Sequence, residues 1–152
     1  MRKLLAIVIA ICAVVAVPAL AASSKYKATL NGKSERPDPT KSKATGTATF
    51  TIAANGKSIS YTLKATKLSG SPQAAHVHFG KVGKAGPVII NICPKPCSVP
   101  KSGKLTSKQF ARQPGVANFA AAVKVIKAGN AYVNIHTKKF PAGEIRGQIK
   151  KG

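Results

Sequence analysis

Two stretches near the middle of the chain alternate with a period of two. From Thr45 to Ala53 the odd positions hold Thr45, Thr47, Thr49 and Thr51, and the even ones hold Gly46, Ala48, Phe50 and Ile52. From Ser58 to Ala65, Ile59, Tyr61, Leu63 and Ala65 fall on one side, with serine, threonine and lysine on the other. Successive side chains of a strand leave by opposite faces, so each stretch predicts a strand with one buried face. Asn55-Gly56 between them predicts a two-residue type I′ turn, because both residue types tolerate positive φ. That loop pairs Ala54 with Lys57, Ile52 with Ile59 and Phe50 with Tyr61, so apolar residues meet at each inward step.

Shorter segments extend the pattern. "KYKATL" reads as a first strand, followed by a proline-rich loop, "SERPDPTKSK". "AAHVHF" and "PVIINI" read as strands flanking the turn "GKVGKAG", and "AYVNIHT" and "GEIRGQIKK" as a final pair. Only "NFAAAVKVIKAGN" has helical spacing, with Asn118 placed to cap its start and Gly129 to stop it. Many short strands, one short helix and frequent Gly and Pro predict an all-β antiparallel sandwich or barrel.

The first residues change the picture of the compartment. Arg2 and Lys3 precede an apolar run, Leu4 to Val17, and Ala19-Leu20-Ala21 fits a cleavage site. The run is shorter than the roughly 20 residues of a spanning helix, so residues 1–21 read as a signal peptide and 22–152 as one exported domain. Cys12 lies in that run after Ile9-Ala10-Ile11, whose bulk does not suit a lipid-anchoring signal. The two remaining cysteines, in "ICPKPCSVP", predict a Cys93–Cys97 disulfide in an oxidising compartment. A thiolate metal site is the other reading of C-x3-C, but its spacing is loose and no histidine adjoins it.

The whole chain holds 25 Lys plus Arg against 3 Asp plus Glu. Loss of Arg2 and Lys3 with the leader leaves a net charge of +20, almost all of it lysine. Such a charge attracts anions over a distance. The leader argues against nucleic acid, as does the lack of tryptophan and of aromatics interleaved with the basic residues. An anionic cell-wall polymer or polysaccharide fits better, and a merely solvated lysine surface explains the same composition.

All three histidines fall in two predicted strands. His76 and His78 share one face of "AAHVHF", opposite Ala75, Val77 and Phe79. Tyr132, Asn134 and His136 share one face of "AYVNIHT", opposite Val133 and Ile135. Residues two apart on a strand root roughly 6–7 Å from each other on one face, close enough for two imidazoles to reach one ion. A third from the neighbouring strand completes a three-nitrogen site suited to copper or zinc. Hydrogen-bonded structural histidines are the alternative. Putting Ile135 and Ile145 on the same face also places Glu144 on one face with His136 near the turn, with Arg146 placed either to support the site or to brace the hairpin by an ion pair with Glu144. The chain has no nucleophile–base pair, so a non-enzymatic role is expected, with a copper carrier or metal-dependent oxidoreductase as the alternative.

"KATLNGKSERPDP", "GTATFTI", "AAHVHFGKVGKAGPVII" and "AGNAYVNIHTKKFPAGEIRGQI" together resemble a CHRD domain, the module named after chordin. The motif falls on His76, His78, Gly86, Pro87, Tyr132, Asn134, His136, Pro141, Gly143, Glu144, Arg146 and Gly147. The resemblance implies an extracellular immunoglobulin-like or barrel-like β-domain. Members look like stand-alone exported proteins in bacteria and archaea, and recur in animals within secreted antagonists of bone morphogenetic proteins. The lysine excess and Arg36, where an apolar residue is common, depart from the pattern. "HVHFG" is also similar to the copper-ligand strand of Cu/Zn superoxide dismutases. Three histidines are too few for that family's dinuclear site.

Overall fold

A computed structural model describes residues 22–152. The predicted signal segment and Cys12 lie outside the described residues. Eight strands run in the spatial order β5-β4-β7-β8-β1-β2-β3-β6, every pair antiparallel, and a ninth, β9, pairs with β1. They are β1 Ser24–Asn31, β2 Thr45–Ile52, β3 Ile59–Thr66, β4 Pro72–Phe79, β5 Val88–Cys93, β6 Lys101–Leu105, β7 Ala131–Thr137, β8 Ile145–Gln148 and β9 Lys150–Lys151. This one sheet rolls into a nearly closed barrel, which decides between the sandwich and barrel alternatives. The seam is bridged in two places. Tyr61 of β3 donates its hydroxyl to the Ile92 carbonyl at 3.3 Å. The Ala111 N–H bonds the Ile89 carbonyl at 3.0 Å, continuing a bridge between Ile90 and Phe110.

The alternation places the core inside the barrel. Tyr26, Ala28 and Leu30 of β1 are buried and the intervening Lys27 and Thr29 exposed. Phe50 pairs with Tyr61 and Ile52 with Ile59, the expected register. The loop between them differs from the expectation. Ala53 N–H bonds the Ser58 carbonyl and Gly56 N–H the Ala53 carbonyl, so four residues, Ala54 to Lys57, form it. Asn55 is not at positive φ; its Oδ1 instead accepts the Lys57 N–H at 3.0 Å, and only Gly56 takes the left-handed conformation, at φ 66°. The side-chain bond of Asn55 therefore replaces a type I′ turn.

One end of the barrel carries α1, Phe119–Lys127, which packs against β7 and β9. Asn118 caps it as expected, Oδ1 accepting the Ala121 N–H at 2.9 Å. Phe119, Ala122, Val123 and Ile126 recur at three- and four-residue spacing and form its buried stripe. Cys93 and Cys97 are joined as a disulfide, Cα atoms 5.3 Å apart, at the end of β5.

Two strands depart from the expected set. β6 was not anticipated, and the last stretch splits at Ile149 into β8, which pairs with β7, and β9, which pairs with β1.

Candidate functional site

Strands β7 and β8 are largely buried on both faces, and β4 is buried on its inner face and half-buried on its outer one. Inward they present Ala75, Val77, Val133, Ile135 and Ile145, all fully buried. Outward they present a polar grid set by the pairing register. His78 lies opposite Tyr132 and Tyr132 opposite Gln148, while His76 lies opposite Asn134 and Asn134 opposite Arg146. His136 falls diagonal to His76, since its direct partner is Ala74. The parity reading therefore brings the three histidines together, their candidate donor nitrogens all within 4.8 Å of one another.

The loop from Gly80 to Pro87 roofs this grid, and the grid holds it down. Arg146 Nη2 donates to the Lys84 carbonyl at 2.6 Å, Gln148 Nε2 to the Gly80 carbonyl at 2.9 Å, and the Gly86 N–H to the Tyr132 hydroxyl at 3.1 Å. Tyr132 is sandwiched between two partners: the His78 ring stacks on it at 4.8 Å and the Arg146 guanidinium lies 3.3 Å from its centroid. At Gly86 even one methyl would strike the Phe79 carbonyl, so only glycine lets the loop lie this close to β4.

Two of the three imidazoles are oriented by backbone carbonyls. His78 Nδ1 lies 2.8 Å from the Gly86 carbonyl and His136 Nδ1 lies 2.9 Å from the Pro141 carbonyl. A carbonyl only accepts, so a neutral His78 carries its proton on Nδ1 and leaves the lone pair on Nε2. His136 Nε2 is 3.1 Å from His76 Nδ1, which can donate to it, and 3.0 Å from Asn134 Oδ1, an acceptor that a lone pair on Nε2 does not satisfy. His78 Nε2 is buried with no hydrogen-bond partner. Burial lowers all three imidazole pKa values. For His76 burial comes first and the neighbouring His136 and His78 add to it, bringing it to about 4. The rings are therefore neutral at pH 7, the protonation state a metal ion requires. Backbone acceptors behind the rings are also the usual means of aiming imidazoles at a metal. The donor set and the orphaned lone pair thus fit an ion held by His76, His78 and His136.

Other expectations are corrected. Glu144 does not turn to His136. Its carboxylate accepts from Ser42 Oγ at 2.6 Å, Thr137 Oγ1 at 2.7 Å, Ser69 Oγ at 2.8 Å and Ser69 N–H at 2.9 Å. Glu144 lies just before β8, after Gly143 at φ 137°, so the alternation that places Ile145 does not extend to it. Nor does Arg146 brace the hairpin by an ion pair with Glu144, since its hydrogen bonds go to the roof loop. Tyr132 stacks on His78, and Asn134 Oδ1 lies 3.0 Å from His136 Nε2.

Glu35 is the acidic residue that sequence reasoning missed. It is 3% exposed, and its Oε1, like Arg146 Nη1, has no hydrogen-bond partner. Burial pushes its carboxyl up to about 7, against the lowering pull of Arg146 and of the Arg36 backbone N–H. A side chain at Gly143 would reach within 2.6 Å of Glu35 Oε1, so that glycine makes room for it.

An antiparallel β-barrel with a clustered histidine triad on its outer wall is the class of domain that these observations define. The CHRD domain profile matches residues 26–149, and the chain belongs to that family. Neither a curated protein nor a solved structure matches it.

Proposed function

We propose that this chain is an exported, non-enzymatic CHRD domain that binds one copper or zinc ion through His76, His78 and His136 and holds anionic envelope material on its lysine-rich surface. One observation carries the metal reading: three neutral imidazoles converge while the buried Nε2 of His78 has no partner. An unpaired buried acceptor is costly, and an ion would satisfy it. Bound there, the ion would supply a fixed positive charge and a Lewis-acid centre. The residues' part is to present lone pairs, to hold Nδ1 protons on Gly86 and Pro141, and to shield the site beneath the Gly80–Pro87 loop.

Export is supported by the disulfide, and among the described residues no helix is long and apolar enough to cross a membrane. A carrier or oxidoreductase is favoured over this reading only if the ion keeps an open position toward solvent. His76 and His136, both half-buried beside the buried His78, mark the side on which that position would lie.

Elemental analysis of the mature domain tests the metal reading, run beside the variant His76→Ala, His78→Ala, His136→Ala. One equivalent of copper or zinc, absent from the variant, is the expected result. A folded native domain that takes up neither ion on titration overturns it.

A further inference from the structure

A groove of about 760 Å³ opens between the segment before β2 and the β7–β8 turn. Lys41, Lys43, Lys67 and Lys139 line it, all exposed, with Asp38 as its single acid. Pro39, Phe140, Pro141 and Ala142 form an apolar stretch of its wall, and Thr40, Ser42 and Ser69 add hydroxyls.

The lysines are carried on three separate segments, and Glu144 ties all three together from beneath. Ser42, between Lys41 and Lys43, gives it Oγ; Ser69, two residues after Lys67, gives it Oγ and N–H; Thr137, two before Lys139, gives it Oγ1. Thr40 Oγ1 also bonds the Glu144 backbone carbonyl at 2.8 Å. Lys67 is the one non-glycine residue at positive φ among the described residues, at 57°. Such a conformation persists where the surroundings hold it. The cations are thus placed on an anchored frame, unlike lysines scattered along a strand.

We infer that this groove is the binding site for an acidic polysaccharide, a chain of carboxylated sugars whose carboxylates meet the four lysines while the ring faces lie on Phe140 and Pro141. The inference rests on the anionic-envelope reading above and gives it an address. The apolar wall selects a sugar chain over a polyphosphate, which offers no C–H face to pack.

The test is calorimetric titration of the mature domain with an oligogalacturonate and with inorganic polyphosphate at fixed ionic strength. The groove variant replaces Lys41, Lys43, Lys67 and Lys139 with Gln. A control variant replaces Lys57, Lys104, Lys124 and Lys127, which lie toward the hairpin tip and helix end, with Gln. All eight are exposed, so both variants keep the fold and lose the same charge. The groove variant is expected to weaken oligogalacturonate binding by about 10-fold or more and the control by less than about 3-fold, since screened charges act mainly at short range. Phe140→Ala is expected to weaken the sugar chain and leave polyphosphate unchanged. Equal loss in the two variants overturns the groove while leaving a diffuse anionic surface standing. Polyphosphate binding as tightly, with no effect of Phe140→Ala, overturns the polysaccharide assignment. No binding by the native domain overturns the groove and the anionic reading together.

Discussion

Two buried polar clusters lie close together at the β7–β8 hairpin and differ in how they are completed. Around Glu144, the carboxylate's hydrogen bonds come from within the chain, from Ser42, Ser69 and Thr137. Burial alone would raise its pKa, yet those bonds outweigh it and hold the carboxyl below its ordinary value. Around the histidines, backbone carbonyls hold Nδ1 of His78 and His136, His76 Nδ1 meets only His136, and the buried Nε2 of His78 is unpartnered. A polar cluster closed on itself specifies shape; one that leaves a buried acceptor unpartnered carries a cost that the proposed ion would remove.

The largest way to break that contrast is Glu144→Ala. It strands the Ser42, Ser69 and Thr137 donors, and stability is expected to fall by about 3 kcal/mol, the cost of leaving buried donors without their charged acceptor. The loss appears in denaturant unfolding with or without metal. A loss below about 1 kcal/mol would show that the three segments hold without it.

The histidine cluster predicts the reverse dependence. Copper or zinc at a hundred times its dissociation constant is expected to stabilise the native domain by about 2.7 kcal/mol, read as a rise in Tm. His78→Ala abolishes that rise. A metal-dependent rise that survives in His78→Ala would place the ion elsewhere.

Tyr132→Phe sharpens the comparison at smaller cost. It removes the hydroxyl that holds Gly86, whose carbonyl orients His78. Stability is expected to drop by about 1 kcal/mol. Metal affinity, measured by competition with a chelator, is expected to fall by about 10-fold, as for other groups that orient a ligand. Unchanged affinity would show that the stacked ring alone orients His78.

The smallest effect is on pH dependence in metal-free protein. His76 titrates near 4 when folded and near 6.5 unfolded, so its contribution is lost as pH falls from 6.5 toward 4. Glu35 titrates near 7 when folded and near 4.5 unfolded, so its contribution is lost as pH rises through that window. The slopes oppose each other, and Glu35→Gln is expected to make acid destabilisation steeper than in the native domain. Identical pH profiles of Tm would show that Glu35 does not offset the histidines.

Much of this was legible in the alternation of the chain. The β2–β3 register, the capped helix and the common face of His76, His78 and His136 all follow from parity, because parity holds wherever a ladder is continuous. It fails where the ladder ends. Glu144 was misplaced for that reason, one residue outside β8 and after a glycine in a conformation that strands do not use. β6 escaped notice because only Leu105 of Lys101–Leu105 is buried, leaving no alternation to read. Glu35 stands in a proline-rich loop without period. The acceptors that aim the imidazoles are the carbonyls of Gly86 and Pro141, and a backbone carbonyl leaves no mark in the residue type that bears it.

The strand order stops at β6, and that open margin bears on self-association. A free edge offers unpaired amides on which a second copy could extend the sheet. At the other margin, β5, Phe110 and Ala111 already occupy part of the row. β6 has only five residues, includes Lys101 and Lys104, and is entered from Pro100. Val82 is the one exposed large hydrophobic side chain among the described residues, so the surface offers little to cement such a contact. Lysines at that margin work against strand pairing with a second copy of an already cationic chain, where a flat neutral edge would invite it.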